Sequence, residues 1–151
     1  MLEHPKVVGD KTTLAVMAAL YEAGYDLYTP FGENTRVDLV VEKSGRLVRV
    51  QIKSARLREG TVRFSCCSNY GHHPAPALVR RSYHGEVDAF GVYCRETRRV
   101  YLIPIAALEN KTKAWLRVDP PKNNQRDRIR WAADYEIGRV AIEGLRGPSG
   151  A

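Results

Sequence analysis

No apolar run in the sequence exceeds eight residues, Leu14 to Tyr21, against the roughly 20 that a helix needs to cross a bilayer. A membrane-spanning helix is thereby excluded. The amino terminus, M-L-E-H-P-K, lacks the basic and then apolar segments of a secretory signal, so the cytoplasm is the expected compartment. Cysteine is scarce as well. There are three, an odd number, and Cys66 and Cys67 are adjacent, which rules out a disulfide framework of the secreted kind. No C-x-x-C pair accompanies His72, His73 and Cys94, and adjacent strand cysteines point to opposite faces, so the spacing does not suit zinc. Acidic residues are the last shortage: 17 Asp and Glu face 24 Lys and Arg, a net charge of +7. A positive field of that size makes a polyanion the first partner to consider.

What is present suits one folded domain. The 151 residues are 44% hydrophobic and 27% charged, an ordinary globular balance. Leu14, Met17, Ala18 and Tyr21 recur at helical spacing before Gly24, which predicts a helix from about Asp10 to Ala23 with Asp10 as its N-cap. R-V-D-L-V-V-E-K and R-L-V-R-V-Q-I-K-S flank Ser44-Gly45 and predict a β-hairpin. T-V-R-F-S-C-C is a third strand, a short helix follows from Pro74 to Ser82, and V-D-A-F-G-V-Y-C and R-V-Y-L-I-P are two more strands. The order implies an α/β (α+β) domain with a mixed central sheet flanked by helices. The core is expected over 5–107, a basic extension over 108–140 and a flexible tail over 141–151.

The hairpin carries the chemistry. If Ser44 and Gly45 form its loop, Asp38 lies opposite Gln51 and Arg36 opposite Lys53. Opposed residues share a face with Cβ atoms roughly 4.5–5.5 Å apart, and Gln51 and Lys53 share it too, two residues apart. A carboxylate, an amide oxygen and an ammonium are thus gathered, a set able to hold Mg²⁺ and support phosphate chemistry. A solvated polar face satisfies the same spacing.

Asp38 in V-D-L-V-V, followed by Q-I-K after twelve residues, resembles the PD-(D/E)XK nuclease superfamily. G-Y-D-L-Y-T-P-F-G-E-N-T-R-V-D-L-V-V, R-V-Q-I-K-S, D-A-F-G-V-Y, V-Y-L-I-P and N-N-Q-R-D-R-I-R-W-A-A-D-Y resemble, in that order, its small group I intron-associated homing endonucleases, which carry Gln in the second motif position. The resemblance implies a restriction-endonuclease-like core and Mg²⁺-dependent hydrolysis of double-stranded DNA, with Mn²⁺ as a substitute, by a homo-oligomer, dimer or tetramer. It further implies that Asp38, Gln51 and Lys53 are catalytic. Asp38, the Gln51 side-chain oxygen and the Ile52 carbonyl would hold the metal, and Lys53 would assist the attacking water. One departure stands out: the first helix of the family reads G-D-x-x-E, and here G-D-K-T-T places Thr13 at the Glu position. Asp10, one turn away, can reach a metal through water.

Basic residues fall in two tracts. Arg46 to Arg63 holds six cations and one acid, and Leu108 to Trp131 seven and three. Arg36, Arg56, Arg58 and Arg63 are candidates for phosphate contacts. Lys122, Asn123, Asn124, Gln125, Arg126, Arg128 and Arg130 are candidates for DNA contact, their amides able to pair with base edges or simply to form a polar loop. Trp115 and Trp131 are expected as core anchors, and Asp88 as a turn or strand-edge residue. The resulting reading is a DNA endonuclease of homing type. Its alternatives are a DNA-binding protein on the same fold with lapsed catalysis, suggested by Thr13, and a nuclease of the Holliday-junction-resolvase kind.

Overall fold

The computed structural model describes residues 2–69, 80–108, 112–124 and 127–137. Helix α1 spans Pro5–Glu22 and starts earlier than expected. His4 Nδ1 accepts from the Lys6 N–H at 3.2 Å, and Pro5 fills the first helical position, where a missing N–H costs nothing. Asp10 is therefore an exposed residue within the helix rather than its N-cap. The buried stripe also departs from expectation. Thr12, Val16 and Leu20 face the sheet, while Leu14 and Tyr21 are 67% and 68% exposed. Apolar residues surround this part of the helix, so periodicity does not choose a face; the partner does. A Cβ on Gly91 would lie 2.8 Å from Val16 Cγ1, so it is the absence of a side chain there that lets Val16 approach.

Nine strands follow among the described residues: β1 Asp26–Tyr28, β2 Leu39–Lys43, β3 Arg46–Arg58, β4 Thr61–Ser65, β5 Cys67–Asn69, β6 Arg80–Ser82, β7 Ala89–Cys94, β8 Arg99–Pro104 and β9 Lys113–Arg117. Ser44 and Gly45 have φ of 54° and 77°, the pair of positive values that a type I′ hairpin turn needs. The register is the expected one: Lys43 faces Arg46 and Leu39 faces Val50. Strand β3 is the trunk of a seven-stranded mixed sheet. Antiparallel β2 pairs with its first part, parallel β7 with Val50 to Ala55, and antiparallel β4 with Arg56 to Arg58.

Side chains alternate along β3 and divide the core. Val48, Val50 and Ile52 pack with α1 on one face, and Ala55 and Leu57 pack with Val62, Phe64, Phe90 and Tyr83 on the other. Arg49 closes the β3–β7 junction through two hydrogen bonds from its guanidinium to the Asp88 carboxylate, at 3.0 and 3.1 Å. Burial pushes the Asp88 acid up, but those bonds, the Arg49 backbone N–H and the Arg49 charge hold it below its ordinary value.

Two departures concern the second half of the chain. Arg80–Ser82, expected in a helix, is a strand paired with β5; residues 74–79 lie outside the described residues. Residues 113–117, placed by composition in a basic extension, form β9 and pair with all of β4, burying Ala114 and Leu116 in the core. Charge on the outward positions of a strand hides its apolar alternation. A short helix, α2 Ala132–Tyr135, ends the described fold; the expected tail over 141–151 lies beyond it. No helix among the described residues is long and apolar enough to cross a membrane.

Candidate active site at the fork of the sheet

Strand residues send N–H and C=O toward the same edge. On β3 the even-numbered residues face β2 and then β4, and between those two partners lies a gap at Ile52 and Ser54. Asp38 stands at its mouth. Its N–H donates to the Val50 carbonyl at 3.0 Å, the last backbone bond of the hairpin on this side. Its Oδ2 then accepts the Ile52 N–H at 2.9 Å, so a carboxylate takes the place of the next ladder carbonyl. The Ile52 carbonyl shares that edge.

Gln51 and Lys53 flank Ile52 and point to the face of Tyr83 and Phe90. Gln51 Oε1 is a buried acceptor without a hydrogen-bond donor among the described residues. Such an atom costs about 1–3 kcal/mol unless a donor or cation meets it. Lys53 Nζ donates to Tyr83 Oη at 3.3 Å and lies 4.8 Å from the ring centroid. Desolvation raises the Asp38 acid above its ordinary value, against the smaller opposing effects of the Ile52 N–H and the Lys53 charge.

Asp38 thus meets the Ile52 N–H and the charge of Lys53 at the gap; it stands just outside β2, whose pairing ends at Leu39 and Val50 rather than continuing to an Asp38–Gln51 pair. Thr13 is not spare: its hydroxyl donates to the Gly9 carbonyl at 3.0 Å. The adjacent Thr12 reaches β3 instead, with Oγ1 2.6 Å from Ser54 Oγ. Asp10 joins no cluster, and among the described residues no group of three or more His, Cys, Asp or Glu side chains could hold a metal. The oxygens that this stretch offers are the Asp38 carboxylate, the Ile52 carbonyl and the Gln51 amide.

Arg36, expected opposite Lys53, is held by other partners. Its guanidinium stacks on the Tyr83 ring at 3.7 Å, donates to the Ser82 carbonyl at 2.8 Å and lies 3.1 Å from Glu86. Tyr83, caught between Arg36 and Lys53, is the site residue that sequence reasoning missed. Nothing local marks it, because it arrives from a segment distant in the chain.

The remaining DNA-contact candidates lie elsewhere. Arg56 and Arg58 alternate onto the face opposite Gln51 and Lys53. Arg63 pairs with Glu59 and stacks at 3.9 Å on Trp115, which is 52% exposed rather than a core anchor. Alternation in K-A-W-L-R could have shown this, since Ala114 and Leu116 turn inward. Lys122, Asn123, Asn124 and Arg128 are exposed near β9, and half-buried Arg130 donates to the Ala107 carbonyl at 2.9 Å. Gln125 and Arg126 lie outside the described residues, as do His72 and His73. The three cysteines are free and buried, and Trp131 is half-buried beside Arg117.

Comparison with known proteins bears on this geometry. Residues 3–138 match the family described as PD-(D/E)XK endonuclease. A solved structure, that of the bacterial homing endonuclease I-Ssp6803I, is similar with a TM-score of 0.70 and 22% identity, covering 89% of each chain. No curated protein matches.

Proposed function

The chain belongs to the PD-(D/E)XK endonuclease family, and from that premise we propose a Mg²⁺-dependent DNA endonuclease of the intron-associated homing type that acts as a homo-oligomer. The observation that carries the reading is the Asp38 carboxylate held on the Ile52 N–H at the open edge of β3, with the buried Gln51 Oε1, which has no donor among the described residues, on the preceding residue. Asp38, Gln51 Oε1 and the Ile52 carbonyl are all oxygen donors, the class that Mg²⁺ takes while keeping several waters; Mn²⁺ accepts the same set. A bound ion of this kind polarises a phosphoryl oxygen and lowers the pKa of water.

The chain's own groups do the rest. Ionised Asp38 offers charge at the gap while Ile52 N–H fixes its orientation. Lys53 spends one N–H on Tyr83 Oη and keeps the others for the attacking water and for charge growing on the phosphate. Supercoiled plasmid carrying a cognate site tests the assignment with Mg²⁺ or Mn²⁺. Asp38→Ala and Lys53→Ala should each slow cutting by about 100-fold or more, and undiminished cutting by both variants would overturn these roles. Cutting of an intronless allele with sparing of the intron-containing one tests the homing assignment, and sedimentation tests the oligomer.

Thr13 supports a second reading, a protein of this fold that binds DNA with catalysis weakened or lost. Its hydroxyl is bonded to its own helix and brings no charge to the site. In that case the wild type binds DNA in a salt-dependent manner but cuts with no divalent ion, and Thr13→Glu restores cutting.

A further inference from the structure

Register places a row of cations on the outer face of β3, β4 and β9. Arg56 faces Arg63, Arg58 faces Thr61, and across the next ladder Arg63 faces Trp115, Thr61 faces Arg117 and Ser65 faces Lys113. Directly opposed residues share a face, so these side chains all emerge opposite Leu57, Val62, Phe64, Ala114 and Leu116, which fill the core. Two basic tracts separated in sequence become one surface. Arg63 pairs with Glu59 at 3.3 Å and Arg56 acts on the Glu96 carboxylate, two acids against the cations Arg56, Arg58, Arg63, Lys113 and Arg117 of the row.

Trp115 sits within this row. Arg63 braces one face of its indole at 3.9 Å, and half of the residue remains open to solvent. Beside it lies a cavity of about 740 Å³ walled by Lys113, Trp115, Arg117, Arg128 and Arg130, with Asp127 as its acid. That volume takes a nucleotide with room to spare. Bases inside a duplex are already stacked on each other, so a ring presented among cations suits an unpaired base, with its phosphates on the Arg and Lys row.

We propose that the outer face of β4 and β9 is a platform for single-stranded DNA, with an unpaired base stacked on Trp115, on the side of the sheet opposite Gln51 and Lys53. It rests on the nuclease reading only in the choice of DNA as the nucleic acid.

The test is fluorescence titration in EDTA, where cleavage cannot intervene, with oligo(dT), a blunt duplex of equal length and oligo(rU) as probes. A Trp131→Phe background makes Trp115 the reporter. Oligo(dT) should quench it saturably. In polarisation assays with labelled probes, Trp115→Ala should weaken oligo(dT) binding by about 10-fold and duplex binding by less than about 2-fold, whereas Trp115→Phe keeps the affinity within about 3-fold. Arg117→Ala, which leaves the indole in place, should also weaken oligo(dT) binding.

Equal losses on strand and duplex, no loss on either, or tighter binding of oligo(rU) would overturn the platform. Plasmid cutting is scored separately. A protein that passes here and never cuts loses the nuclease reading alone, and one that cuts but fails here loses the platform alone.

Discussion

Asp38 carries the cost of its own placement. Desolvation lifts its acid above the ordinary carboxylate value although the Ile52 N–H and Lys53 pull it down. A carboxyl whose folded value is raised contributes stability below its unfolded value, about 3.9, and loses it as pH rises through the folded value. Asp38→Asn keeps an oxygen for the Ile52 N–H and removes the charge. Its melting temperature should therefore exceed that of the wild type at pH 7, by a modest amount because solvent reaches the group, and the difference should vanish toward pH 3. A lower melting temperature at pH 7 would contradict the desolvation argument. Tyr83→Phe is the complementary change. The ring stays under Arg36 and against Phe90 at 5.7 Å, while Lys53 loses its acceptor. Cutting kinetics should show kcat down about 3–10-fold with KM held, the signature of a group positioned for the transition state. A rise in KM with kcat unchanged would assign Tyr83 to DNA binding instead.

At the scale of elements, one missing side chain governs the approach of α1 to the sheet. Alanine at Gly91 would press its Cβ to 2.8 Å from Val16 Cγ1 and 3.1 Å from Val50 Cγ1. Both neighbours are β-branched, fully buried side chains that cannot swing away. Overpacking of this kind costs about 1–3 kcal/mol, to be read from the denaturant midpoint of Gly91→Ala, and an unchanged midpoint would mean that the helix can shift without penalty. The hairpin is legible in the sequence because its turn chemistry fixes its register from Lys43–Arg46 to Leu39–Val50, and register fixes the shared face of Gln51 and Lys53. The gap between β2 and β4 was not legible. It depends on β3 outlasting β2 and recruiting β7 from far along the chain. Strand β9 was hidden for a different reason. Its outward residues are Lys113, Trp115 and Arg117, so composition gave it the look of an appendage while Ala114 and Leu116 carried it into the core.

Over the whole molecule, net charge forecast a polyanionic partner without locating it. The fold divides the cations between roles that sequence cannot separate. Arg36 and Arg49 are spent on structure, holding Tyr83 and the β3–β7 junction, Lys53 stands at the fork, and Arg56, Arg58, Arg63 and Arg117 form a row on the other side of the sheet. The residue that departs from the family pattern, Thr13, belongs to the helix that covers the row-side face, and its neighbour Thr12 meets Ser54 at the gap between β2 and β4. The bond between Ile52 N–H and the Asp38 carboxylate has a spectroscopic consequence. An amide proton held by a titrating side chain reports the charge on that side chain, so one backbone resonance in the middle of β3 registers when Asp38 takes up a proton and when a cation draws its electrons away. The chain carries its own indicator at the fork, readable without label or substrate.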